Sequence, residues 1–144
     1  MKQLLLLSTL LIPAALLWGE GQAAVTFADH DAVAAALVKG GALAKGQDFT
    51  ASGAHRAKAG QVEVHEKETD IIYITDGEAT FVTGGTMVGG KNTTPGQWLG
   101  TDIQGGETRH LVKGDVVVIP AGTPHWFKEV PSGVNYFLVK VIKP

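Results

Sequence analysis

The sequence predicts an all-β domain, a sandwich or barrel of short strands, with one short helix ahead of it. From about Asp48 the chain offers the segments "VEVH", "DIIYIT", "EATFVT", "DVVVIP", "HWFKEV" and "VNYFLVKVI", each rich in β-branched or aromatic residues and bounded by Gly, Pro or Asp. None carries an apolar period of 3.6 residues over a useful length. Many short strands separated by turn signals pack as two sheets or close into a barrel.

Residues 1–23 are expected to be a secretory signal peptide. Lys2 supplies a positive start, residues 4–18 form an apolar run that carries Ser8, Thr9 and Pro13, and Gly21-Gln22-Ala23 is a small-x-small cleavage site. The run is shorter than the roughly 20 apolar residues of a membrane span. No stable membrane anchor is therefore expected after cleavage, and the expected location is exported, periplasmic or secreted. Residues 24–47 follow as an N-terminal helical segment, and residues 48–144 as one barrel domain long enough for its own core.

Composition narrows the function. The formal net charge is −2, and removal of residues 1–23 leaves it unchanged because Lys2 and Glu20 depart together. Such a chain offers no basic surface for nucleic acid. The absence of cysteine excludes disulfides, thiolate catalysis, Cys-based zinc sites and iron–sulfur clusters.

In "TFADHDAVAAALVKGG", Thr26 and Asp29 read as a capping pair, the alanines favour helix, and Gly40-Gly41 stops it after Lys39. Val33 and Leu37, one turn apart, would dock this helix on the body, with His30 at the surface. Asp76-Gly77 and Gly114-Asp115 are turn chemistry at strand ends. The glycine-rich stretch 84–107 is expected to be a long loop, packed through Met87, Trp98, Leu99 and Ile103. It is either a lid in which Trp98 governs access to the barrel or a linker whose Trp98 packs on the outer sheet.

"VEVHEKETDIIYITDGEA", residues 62–79, concentrates the candidate chemistry. On a strand Glu63 and His65 share one face and Val62 and Val64 the other. Asp70 opens the next strand and would return beside them if the two strands pair as a hairpin. By itself the stretch reads first as an ordinary surface hairpin with solvated charges.

A second stretch, "GDVVVIPAGTPHWFKE", residues 114–129, sets Gly114, Pro120, Gly122 and His125 at spacings that resemble the second motif of the cupin family. Glu129 stands where that motif has Asn. The first cupin motif falls on Glu63, His65, Asp70 and Gly77, with Glu63 in place of the first histidine, Asp70 in place of glutamate, and Ala57 at the leading glycine. The resemblance covers roughly residues 48–142. It implies a double-stranded β-helix, a jelly-roll barrel whose mouth holds a divalent metal, and it implies Glu63, His65, Asp70 and His125 as the ligand set.

Two imidazoles with carboxylates suit Mn, Fe, Ni, Co or Zn, and His65, His125 and one carboxylate would make a facial triad with open positions. Alternatively Glu63 leaves the metal and acts as a catalytic base, or the barrel has lost its metal. The function expected is an exported metal-binding cupin acting on a small-molecule substrate by oxygenase, isomerase or lyase chemistry, the alternative being a non-catalytic binder of a small ligand or metal. A homodimer formed by sheet extension along "VNYFLVKVI" is the expected assembly. Phe127 is placed beside His125, and Trp126 and Tyr73 on the opposite parity as packing or interface residues. Arg109 reads either as an anchor for a carboxylate or phosphate or as a solvated side chain, His110 as an extra ligand or a surface residue, and His55-Arg56 has no definite place.

Overall fold

The computed structural model describes residues 24–144; the signal peptide expected at residues 1–23 lies outside the described residues. Helix α1 (His30–Lys39) is followed by β1 (Gly41–Lys45), β2 (Phe49–Arg56), β3 (Val62–His65), β4 (Glu68–Thr83), β5 (Thr86–Val88), β6 (Lys91–Thr94), β7 (Gln97–Gly100), β8 (Asp102–Gln104), β9 (Glu107–Val112), β10 (Val116–Ile119), β11 (His125–Glu129) and β12 (Val134–Ile142). One sheet runs β1-β2-β12-β4-β10 and the other β9-β4-β11-β3-β7-β6, every pair antiparallel. Strand β4 belongs to both. The two sheets form a jelly-roll barrel, as expected, and their inner faces bury Ile72, Ile74, Phe81, Leu111, Ile119 and Phe127 in one cluster.

β4 serves both sheets because it changes phase halfway. Its buried inward positions are Asp70, Ile72 and Ile74, then Ala79 and Phe81. Tyr136 pairs with Ile74 but Asn135 with Asp76, so Thr75 is an extra residue, a bulge. One inserted residue exchanges the faces of everything beyond it, and here it keeps both halves of β4 directed into the barrel. Asp76-Gly77 therefore does not end a strand, contrary to the expectation from its turn chemistry. Gly77 has φ 77°, and a Cβ there would lie 2.2 Å from the Gly133 carbonyl oxygen, so backbone meets backbone where only glycine fits.

The helix ends at Lys39 as expected, with Gly40 as its cap, but it starts at Asp29 rather than Thr26: the Asp29 carboxylate accepts from the Ala32 amide at 2.8 Å. His30 is exposed, Val33 and Leu37 are half-buried, and Ala36 is buried. The helix lies so close over β2 that a Cβ on Gly53 would fall 2.4 Å from the Ala36 carbonyl carbon. Strand begins earlier than Asp48, since β1 adds an edge to the first sheet.

Residues 84–107 are not a loop. β6 and β7 extend the second sheet, while β5 and β8 pair as a small separate sheet. Ile103 from β8, with Met87, covers an outer cluster with Val62, Val82 and Trp126. Trp126 thus packs against another sheet, and its indole donates to the Gly60 carbonyl at 2.8 Å. β12 lies between β2 and β4, with both edges already paired, so it offers no edge for the sheet extension expected of a homodimer.

Candidate metal centre

The register of the second sheet sets the first half of the site. His125 is opposite Glu63 on β3 and opposite Thr83 on β4, and opposed residues of an antiparallel pair share a face. His65 is two residues beyond Glu63 and opposite Gln97 on β7. The second half comes from the facing sheet, where Asp70 is opposite both Ile119 and Lys140. The hairpin expected between the two first-motif strands does not form: β3 pairs with β11 and β7, and Asp70 reaches His65 across the barrel instead.

All four residues implied by the motifs converge. His65 Nε2 lies 3.6 Å from Glu63 Oε2 and 3.5 Å from Asp70 Oδ2; His125 Nε2 lies 3.8 Å from each of the same oxygens. The imidazole centroids are 5.1 Å apart. Ligand atoms held about 2.0–2.2 Å from a tetrahedral ion are themselves roughly 3.3–3.6 Å apart; the 3.5 and 3.6 Å separations at His65 match donors around a common centre, and the 3.8 Å separations at His125 are slightly longer. Glu63, His65 and His125 form one group able to hold an ion, and His65, Glu68 and Asp70 another.

Hydrogen bonds leave the correct nitrogens free. His125 Nδ1 donates to the Thr123 carbonyl at 3.0 Å, which leaves its Nε2 with a lone pair. His65 Nδ1 is bound to the Gln97 side-chain oxygen, so its Nε2 likewise points inward. That Nε2 is buried and has no hydrogen-bond partner. A buried imidazole nitrogen left unpaired costs free energy, and a divalent cation would satisfy it. The residues therefore fit a metal.

Each carboxylate is also held by a cation. Arg56 donates to Glu63 Oε1 at 2.7 Å, leaving Oε2 toward the imidazoles; its guanidinium also contacts the Tyr136 hydroxyl at 3.2 Å and stacks 4.9 Å from the Phe127 ring centre. Lys140 donates to Asp70 Oδ1 and Oδ2 at 2.9 and 3.1 Å and to Glu68 at 2.8 Å. Burial alone would raise the Glu63 carboxyl, but His65, Arg56 and His125 bring it down to about 2. Burial lowers His65 while Glu63 and Asp70 raise it, and the balance is upward. Burial dominates at His125 and lowers it.

Some expectations do not survive this geometry. Trp98 is opposite Val64 on the face away from the site, and its indole donates to Glu66 at 2.7 Å, so it is not a lid; Gln97 and Leu99 are the residues of β7 that face inward. Exposed His110 pairs with half-buried Glu78 at 3.2 Å and is absent from the cluster. Tyr73 is 44% exposed on the outer face. Phe127 is buried edge-on to Phe81, 4.6 Å between centroids, as placed from its parity with His125. Sequence reasoning missed Lys140, Gln97 and Glu68. Lys140 had a signal, a lone charge at the parity of Tyr136 and Leu138 in an apolar strand.

A family model described as "Cupin" matches residues 21–144. No curated protein matches the chain. Among solved structures, BH2720 from Bacillus halodurans is 12% identical with TM-score 0.52, over 72% of this chain and 69% of that one. The Cnp3 cupin domain of Schizosaccharomyces pombe is 14% identical with TM-score 0.52, over 72% and 59%. TT1209 from Thermus thermophilus is 19% identical with TM-score 0.48, over 72% and 81%. At these identities the likeness is one of fold.

Proposed function

We propose that this chain, which belongs to the cupin family, holds one divalent cation between Glu63, His65, Asp70 and His125 and presents it to a small molecule. The observation that carries the reading is the buried, partnerless His65 Nε2, facing two carboxylate oxygens and a second bare imidazole nitrogen. The mixed donor set suits Mn, Fe, Ni, Co or Zn. The metal would supply Lewis-acid polarisation of an oxygen on the bound molecule.

The protein's own part is orientation. Gln97 and the Thr123 carbonyl fix the two rings, Arg56 fixes Glu63, and Lys140 fixes Asp70. Of the two roles open to Glu63, ligand is favoured over base: one oxygen is clamped by Arg56, and a carboxyl near 2 is a weak proton acceptor at neutral pH. The same rigid set supports the alternative of a non-catalytic metal or ligand binder. Elemental analysis of protein purified without added metal, followed by titration of metal-free protein with Mn²⁺, Ni²⁺ and Zn²⁺, tests the reading. A chain that neither retains nor takes up any of them overturns it.

The working protein is proposed to be exported, on the strength of the leader pattern in residues 1–23; N-terminal sequencing of the protein recovered outside the cytoplasm should begin at Ala24. The proposed homodimer would use the outer face carrying Tyr73, Val116 and Val118, exposed by 44%, 60% and 58%. Analytical ultracentrifugation should show a two-chain mass that Val118→Lys reduces to one.

A further inference from the structure

A cleft of about 620 Å³ opens between β9 and β10. Both strands lie along the same side of β4, β9 on its second half and β10 on its first. Leu111 and the whole of β10, whose Val116 and Val118 also carry the outer face, line it with apolar surface, and Thr83, Arg109, His110 and Thr123 with polar groups.

Its position relative to the metal centre follows from strand register. Thr83, on one wall, is the direct neighbour of His125, and Ile119, on the other, is the direct neighbour of Asp70. The Thr123 carbonyl holds the His125 ring. The cleft therefore ends one strand spacing, roughly 5 Å, from both halves of the site.

Arg109 supplies the charge. It shares the inward face of β9 with Leu111, and one guanidinium nitrogen donates to Thr83 at 2.8 Å, which brings its charge to the side of the cleft nearest His125. Its present counter-ion is Glu107, whose side chain is 68% exposed and is therefore readily exchanged for an anion from solution. Where β9 turns into β10, Asp115 also lines the cleft, its carboxylate accepting from the Val112 amide at 2.8 Å, so a second negative group would be repelled there.

We infer that the cleft between β9 and β10 is the ligand chamber of the metal centre, and that Arg109 selects a small organic monoanion with an apolar body. The anion pairs with the guanidinium beside Thr83, and the body lies on Leu111, Val117 and Ile119. The chamber's service to a metal rests on the proposed function; the anion site itself stands on Arg109 and the cleft alone.

Benzoate is a suitable probe, with benzyl alcohol as its uncharged counterpart, in calorimetry and amide NMR on the purified protein, both metal-free and loaded with Zn²⁺. Benzoate should bind in either state, benzyl alcohol at least tenfold more weakly, and shifts should centre on Thr83, Leu111 and Val117. Arg109→Gln should weaken benzoate about tenfold or more, the size of a lost charge-assisted hydrogen-bond pair, with Zn²⁺ uptake unchanged. Glu107→Gln removes the competing carboxylate and should tighten benzoate several-fold. If Arg109→Gln leaves benzoate affinity unchanged, or the shifts fall elsewhere, the inference is overturned. If Arg109-dependent binding persists in a chain that takes up no metal, the anion site stands and the metal reading falls.

Discussion

His125 and Glu63 stand directly opposite each other on β11 and β3, and their side chains meet with Nε2 3.8 Å from Oε2. They come from the two separate sequence motifs, so this single register pair joins the halves of the site. A one-residue slip of β3 against β11 would turn Glu63 and His65 out of the barrel and Val62 and Val64 into it. Val62, fully buried in the outer cluster, opposes that slip.

The fixed orientation of His65 gives the first prediction. Gln97→Leu removes the acceptor on its Nδ1 without touching a metal ligand. Metal affinity should fall about 10–100-fold, the usual effect of losing an orienting partner, while His125→Ala should lose more. Glu63→His, which restores a three-imidazole set, should retain metal. Calorimetric titration with Zn²⁺ separates the three variants, and a Gln97→Leu protein with parental affinity would remove the orienting role.

The acid limb of stability gives the second. Glu63 in the folded chain lies near 2, below the roughly 4.3 of an unperturbed glutamate. A depressed carboxyl stabilises above its unfolded value and loses that stabilisation as pH falls toward the folded one, so the window is about pH 5 to 2. The contribution is on the order of 2–3 kcal/mol. His65, raised, stabilises at low pH and loses this as pH rises; His125, lowered, does the reverse, so the two oppose each other around their unperturbed range. In urea unfolding of metal-free protein, the parent should lose more stability between pH 5 and 2 than Glu63→Gln. Parallel profiles would refute the assignment.

Much of the site was legible because motif spacing on strands is local: Glu63 and His65 share a face by parity, and His125 follows the turn from Pro120 to Pro124. The fold class was legible from the strand runs for the same reason. The bulge was misread because Asp-Gly is strong turn chemistry, yet the apolar positions did record it, passing from Ile72 and Ile74 to Ala79 and Phe81. Residues 84–107 hid their strands because these are three or four residues long, and β6 is polar and exposed throughout. Their order comes from distant partners, Val62 and His65 among them. Arg56 and Lys140 depend on the β2-β12-β4 order, which no local pattern encodes.

The helix gives the third prediction. A Cβ on Gly53 would enter the backbone of α1 at Ala36 and Leu37, at 2.4 and 2.6 Å. No side-chain rotation relieves that clash, so Gly53→Val should displace α1, costing about 1–3 kcal/mol, while the β2–β12 ladder persists. Far-ultraviolet circular dichroism should lose helical signal, with metal uptake retained. A parental spectrum and melting temperature would show that α1 tolerates the displacement.

Lys140 gives the fourth prediction. Asp70 is 3% exposed, and both its oxygens are held by the Lys140 ammonium, itself mostly buried. Lys140→Met leaves the carboxylate in a poorly solvated place with the His65 and His125 imidazoles, 3.5 and 3.8 Å away, as its remaining basic neighbours. Breaking a buried pair from one side costs about 3–5 kcal/mol, and the partial exposure of Lys140 sets the expectation at the lower end. A divalent ion seated against Asp70 Oδ2 would replace the missing positive charge. The variant should therefore be less stable than the parent without metal and gain more on adding saturating Zn²⁺, measured as the shift in thermal midpoint. Asp70→Asn combined with Lys140→Met removes both charges, so it should recover most of the metal-free stability and lose the extra gain. An equal Zn²⁺ shift in parent and Lys140→Met would mean that the ion does not sit against Asp70, leaving Glu63, His65 and His125 as the whole ligand set.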